Sequence, residues 1–92
     1  MSYRVELSLL ALEHIRFHKK AGNKSLLKKL ERLLDELETH PYEGIGQPEL
    51  LKYDYAGYWS RRIDHKHRLI YQVNDETIAV NVVSAKGHYR DR

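Results

Sequence analysis

The chain has 92 residues, with 16 Lys and Arg against 13 Asp and Glu, a formal net charge of +3 and a pI of about 9.2. This length suits one hydrophobic core, so we expect a single domain over residues 1–92. The absence of cysteine excludes a disulfide framework and thiolate metal sites. No apolar run approaches the roughly 20 residues of a membrane span, and the first residues lack a signal-peptide core. These features predict a cytoplasmic protein suited to anionic partners.

The first part of the chain predicts a short strand followed by a helix. Residues 3–7 alternate between apolar and charged side chains, which is typical of a strand. Ser8 can cap a helix over residues 9–21, and Gly22 can end it. Leu9, Leu12 and Ile15 form an apolar stripe that is only moderate, and Phe17 lies off it.

A second helix is predicted directly afterwards, from a cap at Asn23 to about Thr39. Its apolar face follows a period of 3.6 residues. That face consists of Leu26, Leu27, Leu30, Leu33, Leu34 and Leu37. Because about two residues join the helices, we expect an antiparallel helical hairpin.

The remainder of the chain predicts a sheet. Pro41 ends the helical part, and the composition of residues 44–48 is that of a loop. Strand-like runs follow at residues 50–53, 57–63, 67–73 and 77–83, and residues 74–76 form a turn between the last two. Tyr71 alternates with Leu69 and Val73, so we expect it in the core. The predicted fold class is α+β, in the order β-α-α-β-β-β-β, with the helical hairpin on one face of a twisted sheet.

The second half also carries polar side chains near predicted strands and loops. They are Glu49, Lys52, Arg61, Arg62, Arg68, His88 and Tyr89. Carboxylate, imidazole, guanidinium and phenol groups can together cleave an RNA phosphodiester, because the ribose 2′-OH supplies the nucleophile. The protein then needs a base, an acid and cations around the phosphorane, without a metal ion. We therefore interpret the set as a candidate RNA-cleavage site.

Simpler interpretations exist for the same residues. A lone Glu beside a loop is usually a solvated charge, arginines on strands often form salt bridges, and a C-terminal His-Tyr pair is often an exposed tail. His14 and His18 have the i, i+4 spacing of a two-histidine metal face, but no Glu follows His14 as it does in zinc proteases. We therefore expect no metal and no cofactor.

Four motifs in the second half resemble a known family. They are PYEGIGQPELLK at residues 41–52, GYWSRRI at 57–63, HRLIY at 67–71 and HY at 88–89. Together they resemble YoeB/Txe-type toxins of the RelE toxin–antitoxin superfamily. The resemblance is strong from Pro41 onward and is one of pattern before it.

The resemblance implies a RelE-like fold, with two N-terminal helices on one face of a twisted, mainly antiparallel sheet of four to five strands. It also implies a metal-independent endoribonuclease that cleaves mRNA in the ribosomal A site by 2′-OH attack and inhibits translation. By motif position, Glu49 resembles the general base, His88 the general acid and Arg68 the cation on the phosphate. Imidazole suits the acid because its pKa lies near working pH. Glu49 and His88 favour the YoeB branch over other RelE-like toxins.

Further expectations concern RNA contacts and partners. Arg62 resembles a support for Arg68, while Lys52 and Tyr89 match positions that hold RNA; Gln47 stands where Lys is common. The implied partners are a YefM-like antitoxin with an acidic flexible segment, mRNA and the ribosome, and the family also allows a homodimer. The alternative is a non-catalytic basic module, derived from such a toxin, that binds RNA or a partner. The intact set of Glu49, Arg62, Arg68 and His88 argues against it.

Overall fold

The computed structural model describes residues 2–87. Its elements are β1 (Arg4–Leu7), α1 (Leu9–Ala21), α2 (Lys24–Leu37), β2 (Glu49–Leu50), one 3₁₀ turn (Tyr53–Tyr55), β3 (Trp59–Arg62), β4 (Arg68–Asn74) and β5 (Ala79–Ser84). The predicted order β-α-α-β-β-β-β is confirmed. Strands β3 and β5 begin two residues later than predicted, at Trp59 and Ala79.

The strands form one sheet of five in the order β1-β5-β4-β3-β2. Neighbouring strands are antiparallel except β1 and β5, which run parallel. The prediction of a mainly antiparallel sheet is therefore confirmed. Asn74 ends β4, and its side-chain oxygen accepts hydrogen bonds from the amides of Glu76 and Thr77, at 3.0 and 3.1 Å. These bonds satisfy turn amides that the ladder leaves unpaired.

Local capping defines both helices. The Ser8 hydroxyl accepts a hydrogen bond from the Ala11 amide at 3.0 Å, and the Asn23 side chain accepts one from the Leu26 amide at 3.1 Å. Each satisfies one of the amides that a helix start leaves unpaired. Helix α2 ends at Leu37, two residues before the predicted end. Within residues 2–87, no helix has the length and apolar character needed to cross a membrane.

The core lies between α2 and one face of the sheet. Leu26, Leu30, Leu33 and Leu37 of α2 are buried, as the leucine periodicity predicts. They belong to one cluster with sheet residues Leu69, Tyr71, Val80 and Val82. Burying one leucine side chain contributes about 2 kcal/mol, so this face dominates the packing. Tyr71 is fully buried, which confirms its assignment to the core.

Of the apolar stripe on α1, only Ile15 packs against the core. Leu9 and Leu12 are 82% and 42% exposed, whereas Ala11 and His18 are buried. Helix α1 packs mainly against β5. The small Ala11 permits a close approach there, and the His18 ring finds a backbone carbonyl that satisfies its nitrogen. The leucines of α1 therefore point away from the core.

The predicted strand over residues 50–53 is also wrong for most of its length. Strand β2 ends at Leu50, and Leu51 turns into the core, where it is 3% exposed. Tyr53 then adopts a positive φ of 56° and opens the 3₁₀ turn. A positive φ strains the backbone of a residue other than glycine. The surrounding fold therefore imposes this conformation on Tyr53.

Candidate active site

The sheet register places three of the predicted site residues on one face. Glu49 of β2 lies opposite Ser60 of β3, and Arg62 of β3 lies opposite Arg68 of β4. Directly opposed residues in an antiparallel pair share a face, and so do residues two apart on a strand. Glu49, Arg62 and Arg68 therefore share the face of the sheet opposite the one that bears Tyr71.

Two arginines meet where β3 and β4 join. Arg62 and Arg68 form the last register pair before the turn, and their Cβ atoms are therefore about 5 Å apart. Like charges directly opposite one another destabilise a sheet. Within residues 2–87, the ion pairs are Arg4–Glu6 and Arg61–Glu36, so neither Arg62 nor Arg68 is paired with a carboxylate there. Such a pair of guanidinium groups is suited to an external anion such as a phosphate.

Glu49 lies at a distance from Arg68 that a phosphodiester can bridge. Glu49 on β2 and Arg68 on β4 are two strand spacings and two residues apart, which gives a Cα separation of about 12 Å. Both side chains are long and lie on the same face. The carboxylate and the guanidinium can therefore approach one bound phosphodiester from opposite sides.

Arg61, which the sequence grouped with the candidate RNA-cleavage residues, lies apart from Glu49, Arg62 and Arg68. It lies on the core face and is 0% exposed. Its guanidinium donates hydrogen bonds to the Glu36 carboxylate, the Tyr71 hydroxyl and the carbonyls of three loop residues: His40, Glu43 and Ile45. A salt bridge was one interpretation offered for the strand arginines, but the burial of Arg61 and its bonds to the loop were not predicted. The available signal was that Arg61 alternates in phase with the apolar residues Trp59 and Ile63.

The loop that leads to Glu49 is built around this guanidinium. The Tyr71 hydroxyl donates to the Pro41 carbonyl at 2.8 Å, and the Arg62 amide donates to the Gly46 carbonyl at 2.6 Å. Burial raises the pKa of the Tyr71 hydroxyl against the opposing effect of Arg61. The hydroxyl therefore keeps its proton, and stays a donor to the loop, at neutral pH. These bonds fix the start of β2 and so the position of Glu49.

The remaining predicted site residues fall into two groups. Lys52 is exposed and lies directly before the 3₁₀ turn, beyond the end of β2. His88 and Tyr89 lie outside the described residues, which end at Gly87. The Gly87 carbonyl accepts a hydrogen bond from the Arg68 amide at 3.0 Å, so the described chain ends beside Arg68.

A small cavity adjoins this end of the chain. Its volume is about 210 Å³, and its lining includes Tyr55, Ile70, Ser84, Lys86 and Gly87. Ile70 shares a face with Arg68, two residues along β4. The cavity therefore borders the same face as the candidate site.

The histidine spacing on α1 does not produce a metal centre within residues 2–87. No group of three or more His, Asp or Glu side chains there is arranged to hold a metal ion. The His14 ring accepts a hydrogen bond from the Ala85 amide, and the His18 ring bonds the Ala85 carbonyl. The i, i+4 spacing thus serves to hold the backbone after β5.

Comparison with known proteins identifies the family. A model described as the YoeB-like toxin of bacterial type II toxin–antitoxin systems matches residues 8–89. The chain belongs to this family. Toxin YoeB of Streptomyces coelicolor is 40% identical over 72 residues, which are 78% of this chain and 83% of that protein. The resemblance inferred from the motifs is therefore confirmed.

Solved structures of YoeB toxins share the fold. The YoeB/ParE toxin from Agrobacterium tumefaciens superposes with a TM-score of 0.86 at 31% identity, covering 94% of this chain and 99% of that one. The YoeB dimer from Staphylococcus aureus has a TM-score of 0.82 at 37% identity, and it covers 97% of this chain and 100% of that chain. The YoeB–YefM heterotetramer from the same organism gives 0.79 at 37% identity, with the same coverage. The RelE-like fold is thus confirmed, and this protein is the toxin of a type II toxin–antitoxin system.

Proposed function

We propose that this YoeB-family toxin is a metal-independent endoribonuclease that cleaves mRNA in the ribosomal A site and so inhibits translation. The proposal is carried by one observation, the register that aligns Glu49 with the Arg62–Arg68 pair on one face of the sheet. A carboxylate opposite two guanidinium groups provides a proton acceptor and an anion site on either side of one phosphodiester.

In the proposed mechanism, the Glu49 carboxylate takes the proton of the ribose 2′-OH. The 2′-oxygen attacks phosphorus, and Arg68, supported by Arg62, stabilises the charge that develops on the phosphorane oxygens. His88 donates a proton to the departing 5′-oxygen, which leaves a 5′-hydroxyl and a 2′,3′-cyclic phosphate that can be hydrolysed to a 3′-phosphate. Lys52 and Tyr89 hold the RNA strand next to this group.

The test is cleavage of a defined mRNA on purified ribosomes by Glu49→Gln and Arg68→Ala. Loss of a general base costs about 10²- to 10⁴-fold in rate, and loss of a preorganised charge costs about 10²- to 10³-fold. We expect losses in these ranges, with a 5′-hydroxyl product from the parent protein. Arg32→Ala on the exposed face of α2 is the matched control and should cleave like the parent.

Three results would argue against the proposal. Undiminished cleavage by Glu49→Gln and Arg68→Ala would remove both residues from the mechanism. A product with a 5′-phosphate and a 3′-hydroxyl would point to attack by water rather than by the 2′-OH. RNA binding that weakens with salt, without any cleavage, would favour the alternative of a non-catalytic basic module.

The relatives also suggest the assembly in which the toxin is controlled. The Staphylococcus aureus YoeB occurs as a dimer and as a heterotetramer with YefM. We propose a YefM-like antitoxin and a homodimer for this chain, in the cytoplasm where ribosomes lie. Two features support a partner: the formal net charge of +3, and the exposed apolar side chains of α1 (Leu9, Leu10, Leu12 and Phe17). Co-expression with the antitoxin should restore growth, and purification should yield a complex.

A further inference from the structure

Residues 85–87, which we call the strap, connect β5 to His88, the proposed general acid. The strap belongs to no strand or helix. The backbone amides and carbonyls of its first and last residues are nevertheless all hydrogen-bonded: three of the four to histidine rings, and the fourth to the amide of Arg68. Three histidines that the catalytic mechanism does not use thus bond the two ends of this short segment.

The α1 histidines hold the start of the strap. The Ala85 amide donates to His14 Nδ1 at 3.0 Å, and His18 Nε2 lies 2.8 Å from the Ala85 carbonyl. A carbonyl can only accept, so His18 carries its proton on Nε2, whereas His14 must leave Nδ1 unprotonated. His18 is 1% exposed, so its ring is locked between α1 and the strap.

His67 and Arg68 hold the end of the strap. The Gly87 amide donates to His67 Nδ1 at 2.9 Å, and the Gly87 carbonyl accepts from the Arg68 amide at 3.0 Å. The His67 and His18 rings meet edge to face with centroids 4.8 Å apart. Gly87 has a φ of +77°, a conformation that favours glycine. The strap is thus fixed to the first residue of β4, which is the proposed phosphate-binding arginine.

The surroundings keep two of these rings neutral. Burial lowers the pKa of His14, with Lys86 and the neighbouring rings of His18 and His67 acting in the same direction and Glu13 opposing them. Burial also lowers the pKa of His67, with His18, Lys66 and Lys86 adding to the effect and Asp64 opposing it. Lys86, between the two held residues, places its ammonium 4.1 Å from the centre of the Phe17 ring. Both rings therefore retain the acceptor nitrogen that the strap needs.

We propose that His14, His18 and His67 are positioning residues that clamp the strap and thereby set where His88 acts relative to Arg68. The inference rests on the proposed function, because it assigns no chemistry of its own to the three rings. A displacement of about 1 Å in a reacting group can cost roughly 10²-fold in rate, so a clamp of this kind controls turnover without touching RNA.

The clamp has a pH dependence that a merely structural role would lack. A proton on His14 Nδ1 or His67 Nδ1 turns the acceptor into a donor and breaks its bond to the strap. Both pKa values are lowered from 6.5, so the clamp is complete above that pH and opens as the pH falls through the lowered values. Part of the loss of cleavage rate on the acid side of the pH profile, its acid limb, should therefore come from the opening of the strap.

The experiment compares two kinds of replacement at His14 and His67. Asparagine places an acceptor oxygen near the position of Nδ1 and does not titrate, whereas leucine removes the acceptor. At pH 7.5, we expect His67→Leu and His14→Leu to lose about 10²-fold in single-turnover cleavage, and the asparagine variants to lose only a few-fold. The double variant His14→Asn/His67→Asn should move the acid limb to lower pH. His40→Leu, with an exposed side chain, is the matched control.

Gly87→Ala provides a variant that spares the core. A Cβ there would meet no atom of residues 2–87 within 4 Å, so the substitution disturbs mainly the backbone conformation of the strap. We expect a loss of cleavage similar to that of His67→Leu, with a urea midpoint lowered no further than by Gly57→Ala, which strains the backbone in the same way. Full cleavage by Gly87→Ala and His67→Leu would overturn the inference, and so would equal losses in the leucine and asparagine variants at every pH.

Amide hydrogen exchange separates this inference from the proposed function. In the parent protein, the Ala85 and Gly87 amides should exchange slowly at pH 7.5, and the leucine variants should expose them. A parent that shows protected amides but never cleaves RNA contradicts the proposed function and leaves the clamp without an acid to position. A parent that cleaves RNA with both amides unprotected contradicts the clamp alone.

Discussion

Arg61 is the residue on which the two layers of the molecule and the loop between them depend. Its guanidinium is removed from water and has Glu36 of α2, Tyr71 of β4 and three loop carbonyls as acceptors. A buried charge is tolerated when such partners satisfy its donors, and removal of a partner is costly. Lysine has a point charge in place of the planar fork, so it cannot reach acceptors that lie on several sides.

We therefore expect Arg61→Lys to lower the free energy of unfolding by about 3 kcal/mol, measured by urea denaturation followed by far-UV circular dichroism. Arg62→Lys, one position along the same strand but exposed, is the matched control and should change it by less than about 0.5 kcal/mol. Similar values for the two variants would show that the buried network contributes little to stability.

The loop between α2 and β2 is the element that places Glu49, and Gly46 is its tightest point. Gly46 has a φ of +81°, and a Cβ there would lie 2.9 Å from the Arg62 carbonyl oxygen and 3.0 Å from Leu33 Cδ2. The first of these neighbours is backbone, so it cannot move aside without shifting β3. The loop therefore requires glycine for both its conformation and its contact with the strand.

Gly46→Ala should cost about 3 kcal/mol of stability, from backbone strain of about 1 kcal/mol and overpacking of about 2 kcal/mol. Gly57→Ala isolates the first contribution, because Gly57 also has a positive φ, of 92°, but nothing within 4 Å of its Cβ. It should cost about 1 kcal/mol. Both losses are to be measured by urea unfolding. A smaller loss for Gly46→Ala than for Gly57→Ala would contradict the steric conflict expected between a Cβ at position 46 and the Arg62 carbonyl.

At the scale of the whole molecule, Asp75 joins segments that are distant in sequence. The hydroxyls of Tyr3 and Tyr42 both donate to its carboxylate, which links the residue before β1 and the loop after α2 to the turn between β4 and β5. These two hydrogen bonds lower the pKa of Asp75. Burial, with the bond to Asp75, raises the pKa of Tyr42 to about 12.

The stability of the protein should therefore fall at both ends of the pH range. On the acid side, the pKa values of His14 and His67 are lowered in the folded protein, so protonation of these rings below pH 6.5 reduces the free energy of unfolding. Protonation of Asp75 reduces it further below pH 3.8. On the alkaline side, the Tyr42 contribution is present below about pH 10 and is lost as the pH rises towards 12.

Urea midpoints measured from pH 3 to pH 11 test this profile. In Asp75→Asn, the urea midpoint should fall less than in the parent below pH 3.8 and also less at alkaline pH. The fall of the midpoint that begins at pH 6.5 should be unchanged. Asp75 is fully exposed, so we expect a change in the shape of the profile rather than a large loss at neutral pH. A variant profile that overlays the parent at both ends would contradict the role of Asp75.

Local signals were sufficient for much of the fold. Ser8, Gly22 and Asn23 marked helix ends correctly, because a cap is satisfied by residues within one turn. The leucines of α2 were assigned to the core because a clean period leaves one face to bury. Glu49, Arg62 and Arg68 were selected from motif and residue chemistry, and the register places them on one face. Their catalytic roles, and those of Lys52, His88 and Tyr89, remain predictions.

The sequence by itself determined the element order, three of the four helix ends, the α2 face and the toxin family, because these depend on short-range pattern and on motifs. Only the tertiary structure decided which side of α1 is buried, that Arg61 turns inward, and that the α1 histidines hold the backbone at Ala85. Each of these depends on partners from elements distant in the chain. The burial of a charged or polar side chain is favourable only when those partners converge on it, and no local pattern specifies that convergence.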